Sequence, residues 1–218
     1  MNFTSEFLQK SVELIQKLSQ EPVEAVVSVL VELRLRGGRL FVLGSGGGAG
    51  HASHAVCDFR KLCDIEAYAP YDNVSELTAR VNDEGWDVTL SNWLKVSRLG
   101  PNDCLFIFSV GGGSETAHIS MNLVNAVKHA KRVGAKVVGV VGRDGGYTKQ
   151  AGDAVVVLPT VQADLVTPLT EGFQALIWHL IVSHPRLQQS AAKWESQAHT
   201  TSEGAFVPQA APGGVIIV

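Results

Sequence analysis

A strand that runs straight into a glycine-rich loop occurs twice in this chain. Residues 39–43, Arg-Leu-Phe-Val-Leu, read as a buried strand and lead into Gly44-Ser-Gly-Gly-Gly-Ala-Gly50, with a helix after them. Residues 104–108, Cys-Leu-Phe-Ile-Phe, form a second such strand and lead into Ser109-Val-Gly-Gly-Gly-Ser114, again at a helix start. Backbone N–H groups in such loops, with the positive end of a helix behind them, form an anion site. Two of them in one small domain point to a ligand that carries phosphate.

The chain has 218 residues, 45% of them apolar and 18% charged, which fits one globular domain with a substantial core. A net charge of −3 gives no electrostatic footprint for nucleic acid or an anionic membrane. No apolar run is read as long enough to span a bilayer. Residues 1–6 lack the basic-then-apolar pattern of a signal peptide. The three cysteines, Cys57, Cys63 and Cys104, form neither an even framework nor a closely spaced pair, so the expected compartment is a reducing cytoplasm.

Thr4 or Ser5 can cap a first helix whose apolar face is Phe7, Leu8, Val12, Leu14, Ile15 and Leu18. Pro22 fits the first turn of a second helix that runs to about Arg36 and stops at Gly37-Gly38. A helix over roughly 48–62 follows the first glycine loop. Residues 65–68 read as a short strand, 74–80 as a short helix and 86–98 as a longer one. The helix after the second loop is expected over about 114–132. Residues 136–141 and 154–158 are the fourth and fifth strands, and a last helix covers about 168–182. Strands alternating with helices predict an α/β fold, a doubly wound five-stranded parallel sheet flanked by helices, with two N-terminal helices. In such sheets ligands bind at the C-terminal ends of the strands, where both glycine loops lie. The expected division is a domain over 1–187, its two N-terminal helices over 1–36 and its α/β core over 37–187. A partly disordered extension over 188–218 ends in Val215-Ile-Ile-Val218, a segment able to add a strand to a neighbour's edge.

The first loop can be forced into the dinucleotide fingerprint at Gly44, Gly46 and Ala49, with Asp64 or Glu66 as the later acidic residue. Two helices before the first strand and a second glycine loop have no place in that motif. The P-loop pattern fails, because no Gly-Lys-Ser/Thr follows.

His54 and Asp58 lie four apart on the helix after the first loop and so share a face. Glu171 and His179 lie eight apart on the last helix, also on one face. Two histidines and two carboxylates suit either a divalent metal such as Zn2+ or general acid–base work. His51, one turn before His54, is an alternative ligand. His118 and His129 read as surface residues, and Cys57 as core.

Taken together, residues 5–185 resemble the sugar isomerase (SIS) fold, and within it the bacterial phosphoheptose isomerases. The resemblance is carried by the two leading helices, Leu43 to Gly48, the helix with His54 and Asp58, and the segment Asn82-Asp-Glu-Gly85. Phe108-Ser109 with Gly113-Ser114, Gly142-Arg-Asp-Gly-Gly146 and the closing helix from Glu171 to His184 complete it. It implies isomerisation of sedoheptulose 7-phosphate to a manno-heptose 7-phosphate through an enediol(ate). It also implies cytoplasmic homotetramers with sites between subunits. Asp58 and His179 match the family's catalytic Glu and His. His54, Asp58, Glu171 and His179 match a metal site present in some members. Ser45, Gly46, Gly47 and Gly48 with Ser109, Gly111 and Ser114 match the phosphate-holding loops, and Asn82 and Asp83 match a sugar-contacting segment. Phe3, Phe7, Leu14 and Leu18 would let the first helix pack against a copy of itself.

Several positions depart from that pattern. Asp58 is one methylene shorter than the family Glu, and Glu171 stands for a Gln. The two changes can compensate, with Glu171 as base and Asp58 as ligand. Residues 110–113, Val-Gly-Gly-Gly, replace a serine-rich loop, and Gly48 stands where a Ser is usual. The alternative function is a non-catalytic SIS-type protein that binds a phosphosugar or, like a replication-initiation factor, a protein partner.

Overall fold

A computed structural model describes residues 2–191. The predicted strand at Val215–Val218 and most of the predicted C-terminal extension lie outside the described residues. In chain order the elements are α1 (Phe3–Lys17), α2 (Glu21–Leu35), β1 (Leu40–Gly44), α3 (Gly47–Cys63), β2 (Ala67–Tyr68), α4 (Val74–Glu84) and α5 (Trp86–Val96). β3 (Cys104–Ser109), α6 (Met121–Arg132), β4 (Lys136–Val141), α7 (Gly146–Ala151), β5 (Ala154–Val157) and α8 (Val166–Val182) follow. The five strands form one parallel sheet in the order β2-β1-β3-β4-β5.

Strand side chains alternate between two apolar layers, as a period of two requires. Val42, Phe106, Phe108, Val138 and Val140 face one layer with α2, α3 and α8. Phe41, Leu43, Leu105, Ile107 and Val137 face the other with α5 and α6. Because both faces are covered, β1 and β3 are buried along their whole length. Each fully buried Phe or Leu contributes on the order of 2 kcal/mol. The reversal of strand order falls between β1 and β3, so the loops after them flank the crevice where this architecture binds ligands.

Expected boundaries moved in informative places. α6 begins at Met121 and not near Ser114. Ser114 and Ile119 instead exchange backbone hydrogen bonds of 2.9 Å each way, closing a small turn. His118 and Ser120 there hold left-handed φ values of 52° and 50°, which no helix allows. α4 is longer than expected, reaching Glu84, with the Asn73 side chain accepting from the Glu76 N–H at 3.2 Å as its cap. α7 comes as an addition.

Three burial expectations are corrected. Cys57 is exposed, because it lies on the face of α3 away from the sheet. His129 is buried, because it lies on the α6 face that also buries Asn122, Ala126 and Ala130. The segment Ala163–Val182 is long and apolar enough to cross a membrane by length and composition, contrary to the sequence reading. Here it packs Leu169, Phe173, Ile177, Trp178 and Ile181 into the core as α8.

Candidate active site

The first glycine loop closes at once into α3. The Gly48 N–H donates to the Ser45 carbonyl at 3.1 Å. A Cβ at Gly48 would stand 2.7 Å from the Phe108 carbonyl oxygen, so this position is glycine because α3 presses on the end of β3. A serine there, usual in the resembling family, does not fit without displacing backbone.

α8 runs beside α3, and three side chains meet between them. The Asp58 carboxylate accepts the Trp178 indole N–H at 3.0 Å. The same oxygen lies 3.7 Å from His54 Nε2 and 3.6 Å from His179 Nε2. His179 Nδ1 sits 2.7 Å from the Ala175 carbonyl, which can only accept, so Nδ1 carries the proton. The Nε2 lone pair therefore points toward Asp58. The side chains of His54 and His179 are 58% and 52% exposed, whereas that of Asp58 is 15% exposed. One donor atom from each of the three lies within 4.8 Å of the others. Around a tetrahedral zinc with bonds of about 2.0–2.1 Å, neighbouring ligand atoms stand about 3.3 Å apart, close to the spacing here. Two imidazoles and a carboxylate that converge in this way suit Zn2+ or a related divalent cation. Trp178, which also stacks on His179 with ring centroids 4.7 Å apart, is the outer-shell partner that orients them.

Glu171 does not join this group. Its carboxylate stands over the backbone of Gly47, where a Cβ on that glycine would come within 2.5–2.6 Å of its atoms. Eight residues along α8, at 1.5 Å each, separate Glu171 from His179 by about 12 Å of helix axis. Among the described residues Glu171 enters no hydrogen bond or ion pair. His51 packs between Phe108 and Trp178 with its Nδ1 unpartnered. Burial lowers its pKa, while the nearby Glu171 charge and Gln174 oppose that shift.

The second glycine loop opens differently. It borders a cleft of about 760 Å3 lined by Ser45, Ser109, Gly111, Ser114, Arg143 and Tyr147, among others. The loop of Gly142 to Gly146 forms its far wall. The two loops are joined by backbone hydrogen bonds, from Tyr147 N–H to the Gly113 carbonyl at 2.8 Å and from Thr148 N–H to the Gly112 carbonyl at 2.9 Å. Gly112 has φ of 72°, and a Cβ there would overlap the Gly145 carbonyl oxygen at 1.9 Å. Asn122, at the start of α6, donates to the Ser45 hydroxyl at 3.0 Å and ties the first glycine loop to α6.

Of the sequence-predicted residues, Ser45, Ser109, Gly111 and Ser114 therefore line the cleft. Gly46, Gly47 and Gly48 form the turn into α3 beside it. Asn82 and Asp83 bond to each other at 2.7 Å at the end of α4, and among the described residues neither lines the cleft. Trp178, Asn122 and Arg143 carry site geometry that the sequence reading did not assign. Only Arg143 had a local signal, the glycine-flanked motif at the end of β4.

The SIS domain model matches residues 5–142. The lincomycin biosynthesis protein LmbN of Streptomyces lincolnensis is 33% identical over 188 residues, covering 81% of this chain and 66% of that protein. The phosphoheptose isomerase of Aliarcobacter butzleri is 30% identical over 183 residues, covering 81% of this chain and 91% of that enzyme. Among solved structures, the phosphoheptose isomerase of Neisseria gonorrhoeae superposes with a TM-score of 0.72 at 23% identity, covering 82% of this chain and 95% of that one. The family model's reach across most of the parallel sheet, with a relative similar along nearly its full length, settles the family: this chain belongs to the SIS domain family.

Proposed function

We propose that this chain is an aldose–ketose isomerase of a phosphorylated sugar, with sedoheptulose 7-phosphate as the substrate to test first. The observation that carries the reading is the His54, Asp58 and His179 group, held between α3 and α8. The relatives named phosphoheptose isomerase support the same substrate class. A protein that only bound a phosphosugar would not need two histidines and a carboxylate converging between two helices.

The chemistry is a proton transfer between adjacent carbons. A base takes the proton next to the carbonyl, an enediol(ate) forms, and the proton returns one carbon away. Asp58 is already engaged by the Trp178 N–H and faced by both histidines, so we assign it with His54 and His179 to hold a divalent cation such as Zn2+. Bound there, the cation would supply Lewis-acid polarisation of the sugar carbonyl. Glu171 is the carboxylate left free, on α8 between the cleft-lining Thr167 and His179, and we assign it the base role. His179 keeps its Nδ1 proton on Ala175, which fixes the ring and presents Nε2 to the site. The working assembly in this reading is a cytoplasmic homotetramer.

NMR of sedoheptulose 7-phosphate in D2O tests it. Deuterium uptake next to the carbonyl and a new aldose signal are expected for the wild type. Glu171→Gln should lose at least about 100-fold in rate, as general-base removal does, while still binding Zn2+. Asp58→Asn should lose both Zn2+ binding and turnover. No exchange with any five- to seven-carbon sugar phosphate would remove the isomerase reading.

A further inference from the structure

We propose that Arg143 is the side chain that receives the substrate's terminal phosphate, in the cleft between the second glycine loop and the loop of Gly142 to Gly146. The assignment of a sugar phosphate as ligand rests on the isomerase reading; the placement of the anion does not.

The first glycine loop is already supplied with an anion. The Glu171 carboxylate lies against Gly47 at the start of the 17-residue helix α3, where the helix dipole favours negative charge. A phosphate brought to the same place would meet that carboxylate at close range and be repelled. The second loop has two acids on its cleft wall, and each is held by a partner. Glu115 pairs with Lys128, and the Asp144 carboxylate accepts the Gly146 N–H at 3.1 Å.

Arg143 is the remaining charged residue on the cleft wall, and among the described residues it makes no hydrogen bond or ion pair. Its backbone holds φ at 53°, the left-handed region that a residue with a Cβ adopts only when its surroundings impose it. Those surroundings are the joined loops. Gly142 N–H donates to the Val110 carbonyl at 3.1 Å just before Arg143, and Gly145 N–H returns to the Gly142 carbonyl at 3.0 Å just after it. That geometry lays the arginine side chain over Gly111, where a Cβ would touch its Cδ at 3.6 Å.

The loop beneath it offers few side-chain donors. Residues 110–113 carry no hydroxyl. Ser109 accepts the Gly112 N–H at 3.0 Å and Ser114 accepts the Ala117 N–H at 3.2 Å, which shapes the loop and leaves each hydroxyl one O–H to donate. A guanidinium, planar and permanently charged, binds a phosphate monoester through paired hydrogen bonds and supplies the positive charge that hydroxyls lack.

The test uses the full chain and inorganic phosphate, followed by 31P NMR or calorimetry, together with steady-state kinetics on sedoheptulose 7-phosphate. Arg143→Gly removes the cation and relaxes the left-handed position, so it should keep the wild-type melting temperature or exceed it. Its phosphate affinity should fall about 10- to 100-fold, as expected for a lost charge-assisted contact, with KM raised to match and kcat within a few-fold. Arg143→Lys should fall between the two. Unchanged phosphate affinity in a folded Arg143→Gly variant overturns the assignment, as does a wild type that binds no phosphate. Phosphate binding that depends on Arg143, without turnover of any sugar phosphate, supports the assignment and removes the isomerase reading instead.

Discussion

The two strand–glycine–helix junctions look alike in sequence and serve opposite ends of packing. After β1 the glycines let a helix come down on the sheet. Gly48 touches the Phe108 carbonyl, and α3 starts within three residues of the strand. After β3 the glycines let two loops come together. Gly112 meets Gly145, and α6 waits until Met121. The first junction is thereby closed and carries the side chains for chemistry one to three turns down α3. The second stays open and makes the cleft. A glycine run thus marks a close backbone approach, and what approaches decides whether the result is a helix cradle or a binding wall.

The largest effect should come from closing that second approach. Gly112→Ala places a Cβ on the Gly145 carbonyl and forces a left-handed φ on alanine. Separating the loops would also break the Thr148 hydroxyl bond to the Gly112 carbonyl, 2.8 Å and buried. A loss of about 3 kcal/mol or more is expected, read as a lower urea midpoint. Gly46→Ala is the matched control in the first junction. Its φ of 59° comes with a ψ of −125°, outside the left-handed helical region, but a Cβ there meets nothing within 4 Å, so only the backbone cost of about 1–3 kcal/mol is expected. Equal losses would mean that the positive-φ backbone, and not the loop contact, sets the cost at both junctions.

The first junction is sharpened by Trp178→Phe. The change keeps the aromatic packing against His54 and His179 but deletes the N–H that Asp58 accepts. Outer-shell partners of metal ligands typically contribute 10- to 100-fold in affinity, so Zn2+ should bind weaker by about that factor while phosphate binding in the cleft stays as it was. A parallel loss of phosphate affinity would show that the two regions are one coupled site.

Much of this was legible in the sequence, for physical reasons that also explain the remainder. The strands announced themselves because both faces are buried and the apolar runs are continuous, as at Cys104 to Phe108. The pairing of His54 with Asp58 followed from helix spacing alone. The separation of Glu171 from His179 along the axis was legible from their eight-residue spacing, whereas the docking of Glu171 over Gly47 was hidden, because it depends on how α8 packs against the first loop. The start of α6 was missed since Ser114 to Ile119 adopts a turn through left-handed His118 and Ser120, which composition does not encode. Trp178 and Asn122 act through contacts between elements far apart in the chain, and such pairings leave no local pattern. Arg143 stood in a motif in plain view, but its role depends on which loop it folds against.

A smaller effect separates the helices behind the two loops by their histidines. His54 on α3 is exposed, whereas His129 on α6 is buried with Nε2 unpartnered and Nδ1 at 2.9 Å from Arg132. Burial, followed by the charges of Arg132 and Lys95, holds the His129 pKa below its ordinary value. In the unfolded chain the ring titrates near about 6.5. Between the lowered folded value and that point the unfolded state binds more protons, so stability rises with pH through this window and is fully present above it. The wild type should therefore lose stability as pH falls from 7 toward 5, and His129→Leu should lose less over the same range. At neutral pH the substitution should cost little, because it removes an unsatisfied polar atom along with the ring. Urea midpoints at pH 7, 6 and 5 check it. A slope unchanged in His129→Leu would remove His129 as its source and turn attention to His51 on α3, which burial also holds below its ordinary value.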